Sequence, residues 1–435
     1  MQSSFIKWTS LALLIGAAIL SFIDRQILSL LVDPIKQDLE ISDTQIGLLQ
    51  GLAFALFYGL AAIPFGWLAD RKSRKWIITG GVLFWSLMTA VSGLARSFGQ
   101  LFAMRLGVGL GEATLGPSVH SMISDLFDRK HLPLAMSLYG TGISIGAGLA
   151  YLVGGQVVEV VSSTPSFQLP LVGEVRPWNA AFFIVGVPGV VLAALIAIFV
   201  PEPVRKQVGT QSAEDSATLL VFVNERRALT LGIIGGLTFL TAASFATLGW
   251  SAAFYARTFG WSAAEAGTAI GLTLIIAGIS GGLMAGWLSS KLIVKGRIDA
   301  PVVVMAAATV ATGVAGAITF LAPSGAISVA FLVPTIFFGT CYVGLGPTVV
   351  QSIMPSSLRG RASAWQLLTT NTFGMITGPL SVALITDFVL GDPARVGISL
   401  AICVGLFNLL GAFLLWSVRR AYQHEFARSS VNAGE

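Results

Sequence analysis

The sequence predicts an all-α integral membrane protein with twelve transmembrane helices in two six-helix bundles. Three observations predict this class: the composition, the number of long apolar runs and the positions of the basic residues. Of the 435 residues, 54% are hydrophobic and 11% are charged, whereas soluble globular chains carry about 25% charged residues. So few charged side chains cannot cover a water-facing surface, and a soluble protein is therefore excluded.

Twelve apolar runs of roughly 20 residues, the length needed to cross a bilayer, follow one another along the chain. They cover residues 9–32, 44–68, 76–95, 98–120, 132–155, 178–200, 229–252, 264–290, 300–321, 325–350, 361–386 and 395–418. The longest polar stretch within the chain divides these runs six and six. We therefore predict an N-terminal bundle, a cytoplasmic linker, a C-terminal bundle and a cytoplasmic tail. These segments are residues 1–200, 201–228, 229–420 and 421–435.

The basic residues predict the topology. The net charge of +5 would suit nucleic acid, but the cations cluster between apolar runs, as in loops that fix membrane orientation. With both termini cytoplasmic, 19 of the 26 Lys and Arg residues fall inside and 5 outside. We expect a multi-pass protein of a bacterial-type inner membrane, surrounded by membrane lipids, with no nucleic-acid partner. Cys341 and Cys403 lie in apolar runs, so we expect buried free thiols, and no metal-ligand spacing is present.

The first apolar run carries two ionisable residues near its middle. Asp24 and Arg25 stand side by side within Leu11–Leu31. Charges at that depth are costly unless they face a cavity or each other, so they indicate a functional site. Alternatively, both side chains lie near the end of a shorter helix and reach the headgroups. Seven mostly apolar residues follow before Asp33, which favours a buried charge pair.

The fourth run carries a second charged pair. Glu112 follows Arg105 by seven residues, which is about two helical turns, so both side chains point to nearly the same face. Burial and neighbouring cations act in opposite directions on the proton affinity of a carboxylate. Asp24 and Glu112, with Arg25 and Arg105 as counter-charges, are therefore candidates for proton exchange. The alternative is a static ion-pair network that joins the first and fourth helices, since such networks also perturb carboxylates.

Several motifs resemble those of a known family. Gly66–Lys75 resembles the loop signature of the major facilitator superfamily, with Ser73 where glycine is usual. Arg105 and the glycines after it resemble the fourth-helix motif of that superfamily. Related loop sequences after the second and eighth runs also suggest duplicated halves. Within the superfamily, Phe22–Gln26 and Gly109–Ala113 resemble the spinster branch.

The resemblance implies a fold and a cargo. Spinster-like proteins are proton-linked or facilitative carriers of lysolipids and sphingosine phosphate. In the superfamily, helices 1, 4, 7 and 10 line a central cavity, which implies that Asp24 and Glu112 face one space. The second half of the chain carries no comparable mid-span charge, so we expect the opposite wall to be apolar to aromatic. Its candidate substrate-binding residues are Tyr342, Thr370 and Asn371.

These observations predict a proton-linked secondary transporter that moves an amphipathic, lipid-like solute by alternating access. We expect a monomer that is not an enzyme and uses the proton gradient without a cofactor. Arg25 would contact the anionic head of the solute and Arg105 would support it. Asp70, Arg71 and Arg74 would act as a gate, unless these cations are topology anchors alone. The alternative cargo is a small polar organic anion, and the alternative class is a membrane-embedded lipid-modifying enzyme or sensor.

Overall fold

The structure, a computed structural model, describes residues 4–128, 130–169, 173–205, 221–354 and 358–431. The first nine helices are α1 Ser4–Leu30, α2 Val32–Leu39, α3 Asp43–Gln50, α4 Leu52–Arg71, α5 Arg74–Ser92, α6 Phe98–Glu112, α7 Leu115–Leu126, α8 Leu132–Ser162 and α9 Pro177–Phe199. Residues 221–225 are helical and form α10. The remaining α-helices are α11 Arg227–Phe259, α12 Ala263–Thr273, α13 Ile279–Val294, α14 Ala300–Phe320, α15 Gly325–Gly339, α16 Cys341–Ile353, α17 Arg359–Leu384, α18 Val396–Ser417 and α19 Arg419–Val431.

Other backbone conformations are rare in the described residues. Two π-helical segments, Leu274–Gly278 and Ile385–Leu390, follow α12 and α17, and a 3-10 turn spans Pro393–Arg395. Strands β1 Phe167–Leu169 and β2 Gly173–Val175 pair antiparallel between α8 and α9. This hairpin is an addition to the predicted all-α fold.

Eleven helical segments of the described chain are long and apolar enough to cross a membrane. The predicted fourth span, 98–120, is instead divided between α6 and α7. The break lies at Ala113 and Thr114, where the hydroxyl of Thr114 donates to the carbonyl of Gly111 at 2.8 Å. Together α6 and α7 cover the region of the remaining predicted span.

The chain forms two compact units. Unit 1 comprises Met1–Gln207, Leu248–Ile275 and Val382–Val396, and unit 2 comprises Val208–Thr247, Ile276–Ser381 and Gly397–Glu435. In unit 1, α1 packs against α8 and α9, and α12 packs against α8; in unit 2, α14 packs against α15 and α16 against α13. The predicted division into bundles 1–200 and 229–420 stays a prediction. Of the predicted linker, residues 206–220 lie outside the described residues.

Close helix packing positions the charged residues of unit 1. A Cβ atom at Gly109 would lie 2.2 Å from the carbonyl oxygen of Phe54, so α6 can lie directly against α4 only because residue 109 is glycine. Small residues serve this purpose in membrane helices. This approach brings Glu112 of α6 and Phe54 of α4 to the same side of α1. The two thiols, Cys341 and Cys403, are free and buried, as predicted.

Candidate functional site

Glu112 is held by the first helix. Its Oε2 accepts hydrogen bonds from Nη2 of Arg25 at 2.5 Å and from the hydroxyl of Ser21 at 2.6 Å. The side chain of Glu112 is 1% exposed and that of Arg25 is 13% exposed. Within the described residues, Oε1 of Glu112 has no hydrogen-bond partner. The structure therefore contains a buried ion pair between α1 and α6 with one carboxylate oxygen unused.

Aromatic rings surround the guanidinium of Arg25. Its Cζ lies 4.4 Å from the ring centroid of Phe54, 5.2 Å from that of Phe22 and 5.5 Å from that of Tyr58. A cation over such ring faces is attracted by their quadrupoles. Charge and apolar surface thus lie side by side at this position.

Asp24 is buried but does not pair with its neighbour. Successive residues of a helix point about 100° apart, and Arg25 turns towards Glu112, while Asp24 turns towards α5 and is 1% exposed. Trp85 and Thr89 of α5 face the Asp24 carboxyl. In the part of the chain that the structure describes, Oδ1 of Asp24, Nε1 of Trp85 and Oγ1 of Thr89 form no hydrogen bond of normal geometry. The buried charge pair expected of Asp24 and Arg25 is therefore formed by Arg25 and Glu112.

Arg105 supports the backbone of α1. Its Nη1 donates to the carbonyl of Asp24 at 3.0 Å and its Nη2 to the carbonyl of Arg25 at 3.5 Å. The side chain is 1% exposed, and its charge acts on both Asp24 and Glu112. Arg105 and Glu112 both contact α1, which is what their spacing of two turns predicts. Arg105 therefore fixes the position of α1 along α6, while Arg25 forms the ion pair with Glu112.

The substrate-binding residues predicted in the second half all lie in unit 2. Thr370 is 2% exposed, and its hydroxyl donates to the carbonyl of Gln366 in the same helix at 2.9 Å. Tyr342 is partly buried and packs against the hydrophobic core of unit 2. Asn371 is partly buried on α17. The role of these three residues in binding stays a prediction.

The predicted gate contains one residue that organises a network, Arg74. Its side chain is 1% exposed, forms an ion pair with Asp125 and donates from Nε to Oε1 of Glu202 at 2.9 Å. It also donates to the carbonyl oxygens of Ser121 and Pro203, both at 3.1 Å. We call Arg74, Asp125 and Glu202 the Arg74 cluster. It joins the start of α5 to α7 and to the segment after α9.

Glu202 also caps the start of α5. Its Oε2 accepts hydrogen bonds from the hydroxyl of Ser73 at 2.7 Å and from the N–H of Lys75 at 2.8 Å. Burial acts to raise the pKa of Glu202, but the hydrogen bonds from Lys75, Ser73 and Arg74 outweigh it, and the pKa lies below its ordinary value. The carboxylate form of Glu202 is thus stabilised in the folded protein.

Asp70 and Arg71 take no part in the Arg74 cluster. Both are exposed, and the guanidinium of Arg71 lies over the ring of Trp67 at 4.1 Å. No ion pair of Asp70 or Arg71 is present among the residues that the structure describes. The structure thus places the three predicted gating residues in different surroundings, and their role in gating stays a prediction.

A second charged cluster was missed by the sequence reasoning. Arg257 of α11 donates to both carboxylate oxygens of Asp43 at 2.8 and 2.9 Å, and it also contacts Asp33 at 2.7 Å. Lys36 reaches Asp43 at 2.6 Å. We call these four residues the Arg257 cluster. The available sequence signal is that Arg257 is one of only five basic residues in the predicted outer loops, where few cations are expected.

Further contacts within unit 1 join the two halves of the sequence beside this cluster. The N–H and the hydroxyl of Thr44 both donate to Oδ2 of Asp387 at 2.6 Å. Helices α8 and α12 pack so closely that a Cβ at Gly271 would lie 2.6 Å from the carbonyl oxygen of Gly148. Only glycine at residue 271 allows this backbone contact. In the predicted topology, the contact of Thr44 with Asp387 lies at the outer end of the helices.

The fold and the buried ion pair define a polytopic helical membrane protein with a charged intramembrane site. Residues 14–379 match the model of the Major Facilitator Superfamily. The chain belongs to this superfamily, and the predicted all-α fold is confirmed by this match and by the structural likeness below.

The relatives agree with the motifs. A protein described as an MFS-type efflux pump, from Mycolicibacterium smegmatis, is 29% identical over 423 residues, 96% of this chain and 94% of that protein. The sphingosine-1-phosphate transporter SPNS2 of Xenopus tropicalis is 32% identical over 189 residues, 43% of this chain and 34% of that protein.

A solved structure has the same fold. It is that of a bacterial homologue of the human lysosomal transporter spinster in an inward-facing and unoccupied conformation. It aligns with a TM-score of 0.84 at 24% identity, over 98% of this chain and 99% of that chain. The predicted resemblance to the spinster branch is confirmed, and the chain is a multi-pass membrane protein of a transporter superfamily.

Proposed function

We propose that the protein is a proton-linked secondary transporter that moves an amphipathic, lipid-like solute by alternating access. The observation that carries this proposal is the ion pair of Arg25 and Glu112, buried beside Asp24 and bordered by aromatic rings. A relative named for sphingosine-1-phosphate transport supports a solute with an anionic head and an apolar tail.

Glu112 is proposed to control whether Arg25 can bind an anion. In this structure Nη2 of Arg25 donates a hydrogen bond to the carboxylate of Glu112 and is not available to another anion. A proton on Glu112 would remove the negative charge that holds Arg25, since a neutral carboxyl attracts a guanidinium far less. Arg25 would then be free to meet a phosphate or another anionic head. Uptake of the solute and uptake of the proton would thus be coupled at one side chain.

The surroundings of Arg25 suit an amphipathic solute. Phe22 and Tyr58 are partly exposed and present apolar faces within 5.5 Å of the guanidinium, whereas Phe54 is fully buried. A small polar anion would gain the contact to Arg25 but would leave these faces uncovered. A solute with an apolar tail would cover them and gain from their burial. The aromatic border is therefore the specific observation that favours the lipid-like cargo over a small organic anion.

The proposal is tested by flux measurements in proteoliposomes. The purified protein is reconstituted with an imposed pH gradient, and uptake is followed for a panel of lysolipids and sphingoid phosphates. Unlabelled competitors of increasing chain length are then added at fixed concentration. We expect competition to strengthen with tail length and flux to follow the pH gradient.

Two outcomes would overturn the cargo assignment. If short organic anions compete and lysolipids do not, the solute is a small polar anion. If mass spectrometry of the liposome lipids shows that the lipid is chemically converted, and the flux assay shows no net transfer, the protein is a lipid-modifying enzyme. Flux that is unaffected by collapse of the pH gradient would remove the proton coupling and leave a facilitative carrier.

A further inference from the structure

A groove opens on the surface of unit 1 between α4, α5 and α6. It has a volume of about 600 Å³, and its lining is mostly apolar. Its walls are built by Leu68, Trp76, Gly80, Phe84 and Leu110, with Lys72 at one end. Trp76 is 61% exposed and Phe84 is 39% exposed. Since these helices span the membrane, such side chains meet lipid, and the groove opens towards the bilayer.

Gly80 keeps the groove open. A Cβ at this position would meet nothing within 4 Å among the described atoms, whereas a Cβ at the adjacent Gly81 would collide with Thr114. Gly81 is therefore required for helix packing, but Gly80 is not. A larger side chain at residue 80 would extend into the groove without disturbing α5.

The end of the groove at Lys72 carries positive charge that the protein leaves unpaired. Arg74 is neutralised by Asp125 and Glu202. The ammonium of Lys75 lies over the ring of Trp76 at 5.2 Å. In the described part of the chain, neither Lys72 nor Lys75 has an acidic partner. The N–H of Lys75 at the start of α5 already donates a hydrogen bond to Glu202. An anion at the groove would therefore be bound by the ammonium groups of Lys72 and Lys75.

We propose that this groove holds one anionic phospholipid of the cytoplasmic leaflet, with its phosphate at Lys72 and an acyl chain along Gly80. Basic residues beside transmembrane helices on the cytoplasmic side attract anionic lipids, and tryptophan favours the headgroup level. Here Lys72, Trp76 and Gly80 follow one another from the end of α4 into α5, so the charge, the tryptophan and the apolar channel lie in that order. The lipid is a resident of the protein surface and is distinct from the transported solute.

The test measures lipid retention without any transport. Native mass spectrometry of the purified protein counts bound phosphatidylglycerol, and thermal unfolding is compared in micelles that contain phosphatidylglycerol or phosphatidylcholine. For the wild type we expect retention of one phosphatidylglycerol and a higher unfolding temperature with that lipid. Lys72→Gln should weaken retention about fivefold, the factor that corresponds to one lysine near an anionic surface. Gly80→Leu should abolish retention while every charge remains.

Matched controls come from α13, where Trp287 and Lys291 repeat the pairing of an aromatic ring with a cation at 4.7 Å. A Cβ at Gly286 meets nothing within 4 Å of the described atoms, so Gly286→Leu and Lys291→Gln should keep wild-type retention. If Gly80→Leu fails to fold, Lys72→Gln decides alone.

Several results would overturn the lipid site. These are unchanged retention in both test variants, equal protection by phosphatidylcholine, or equal protection by inorganic phosphate. A dimer that Gly80→Leu separates, with no effect of lipid, would assign the groove to a second copy of the chain. Because no solute or pH gradient is used, failure here leaves the proposed transport untouched.

Discussion

Arg257 and Asp43 are 214 residues apart in the chain and form a two-pronged ion pair, with N–O distances of 2.8 and 2.9 Å. The side chain of Asp43 is fully buried and that of Arg257 is 8% exposed. Paired hydrogen bonds of this geometry are among the strongest polar contacts in proteins. The pair therefore fixes the packing of α11 against the start of α3 within unit 1.

Breaking this pair should loosen that packing. Arg257→Gln leaves Asp43 with Lys36 alone, and we expect a cost of about 3 kcal/mol, the low end for a buried pair that loses one partner. The measurement is maleimide labelling of Ala266→Cys, because Ala266 lies on α12, which directly follows α11 in the chain, and is 1% exposed, and both native thiols are buried. Labelling should become faster in Arg257→Gln. Arg395→Gln removes an exposed arginine and should have no effect; equal rates in all three proteins would contradict the role of Arg257.

Glycine at residue 271 should be required for the contact between α12 and α8. Gly271→Leu places a side chain against the carbonyl of Gly148, and overpacking of this kind costs about 1–3 kcal/mol. The same cysteine at residue 266 should react faster, although no charge has changed. Gly282→Leu is the control, since a Cβ there meets nothing within 4 Å of the described atoms. Slow labelling in Gly271→Leu would mean that the helices adjust without separating.

The sequence predicted what depends on local pattern. Apolar runs located the spans, and mid-span charges singled out Asp24, Arg25 and Glu112. It did not predict which acid Arg25 binds, because that depends on the rotation of α1 against α6. Nor did it predict the break between α6 and α7, because residues 98–120 read as one apolar run in the sequence.

The Arg257 cluster shows a second limit of sequence reasoning. Its members come from α2, α3 and α11, and nothing local in any of these segments indicates the others. Charged residues at the ends of membrane helices are usually solvated, so burial of Asp43 follows only from the packing of distant helices. Such pairings are set by tertiary structure and are not visible in composition or periodicity.

Glu202 should stabilise the protein in a pH-dependent way. Its pKa is lowered in the folded state from an ordinary value of 4.5, so the stabilisation is present above that value and is lost as the pH falls through the lowered pKa. Glu202→Gln should therefore reduce the unfolding temperature at pH 7, and the difference from the wild type should shrink in more acidic buffer. Thermal unfolding in detergent at both pH values measures this. Asp70→Asn, at an exposed carboxylate nearby, should show no such pattern; a constant difference at every pH would disprove it.

Arg105 should be required for its shape and not only for its charge. Arg105→Lys keeps a cation but cannot reach the carbonyls of both Asp24 and Arg25. Hydrogen bonds to charged groups contribute about 1.5–3 kcal/mol, and we expect a loss of that size in unfolding free energy. Arg71→Lys, at the exposed end of α4, should cost little. If Arg105→Lys is as stable as the wild type, Arg105 acts as a counter-charge alone.

Substitution of either buried carboxyl, Asp24 or Glu112, should remove the proton coupling of transport, whereas substitution of Arg25 should remove binding of the solute. Glu112→Gln frees Arg25 from its ion pair, so equilibrium binding of an anionic lysolipid should persist or tighten while uptake driven by a pH gradient is lost. Asp24→Asn should likewise lose the gradient-driven component, because the buried carboxyl facing Trp85 can no longer exchange a proton. Arg25→Gln should lose binding itself.

Binding measured in detergent and uptake measured in liposomes separate these effects, with the exposed Glu174→Gln as the control. A static ion-pair network predicts a different pattern: each of the three variants would lower stability, and uptake in the folded fraction would still respond to the gradient. Gradient-driven uptake retained by both Asp24→Asn and Glu112→Gln would exclude these carboxyls as proton carriers. Loss of binding in Glu112→Gln would show that the carboxylate helps to form the anion site and does not compete with the solute for Arg25.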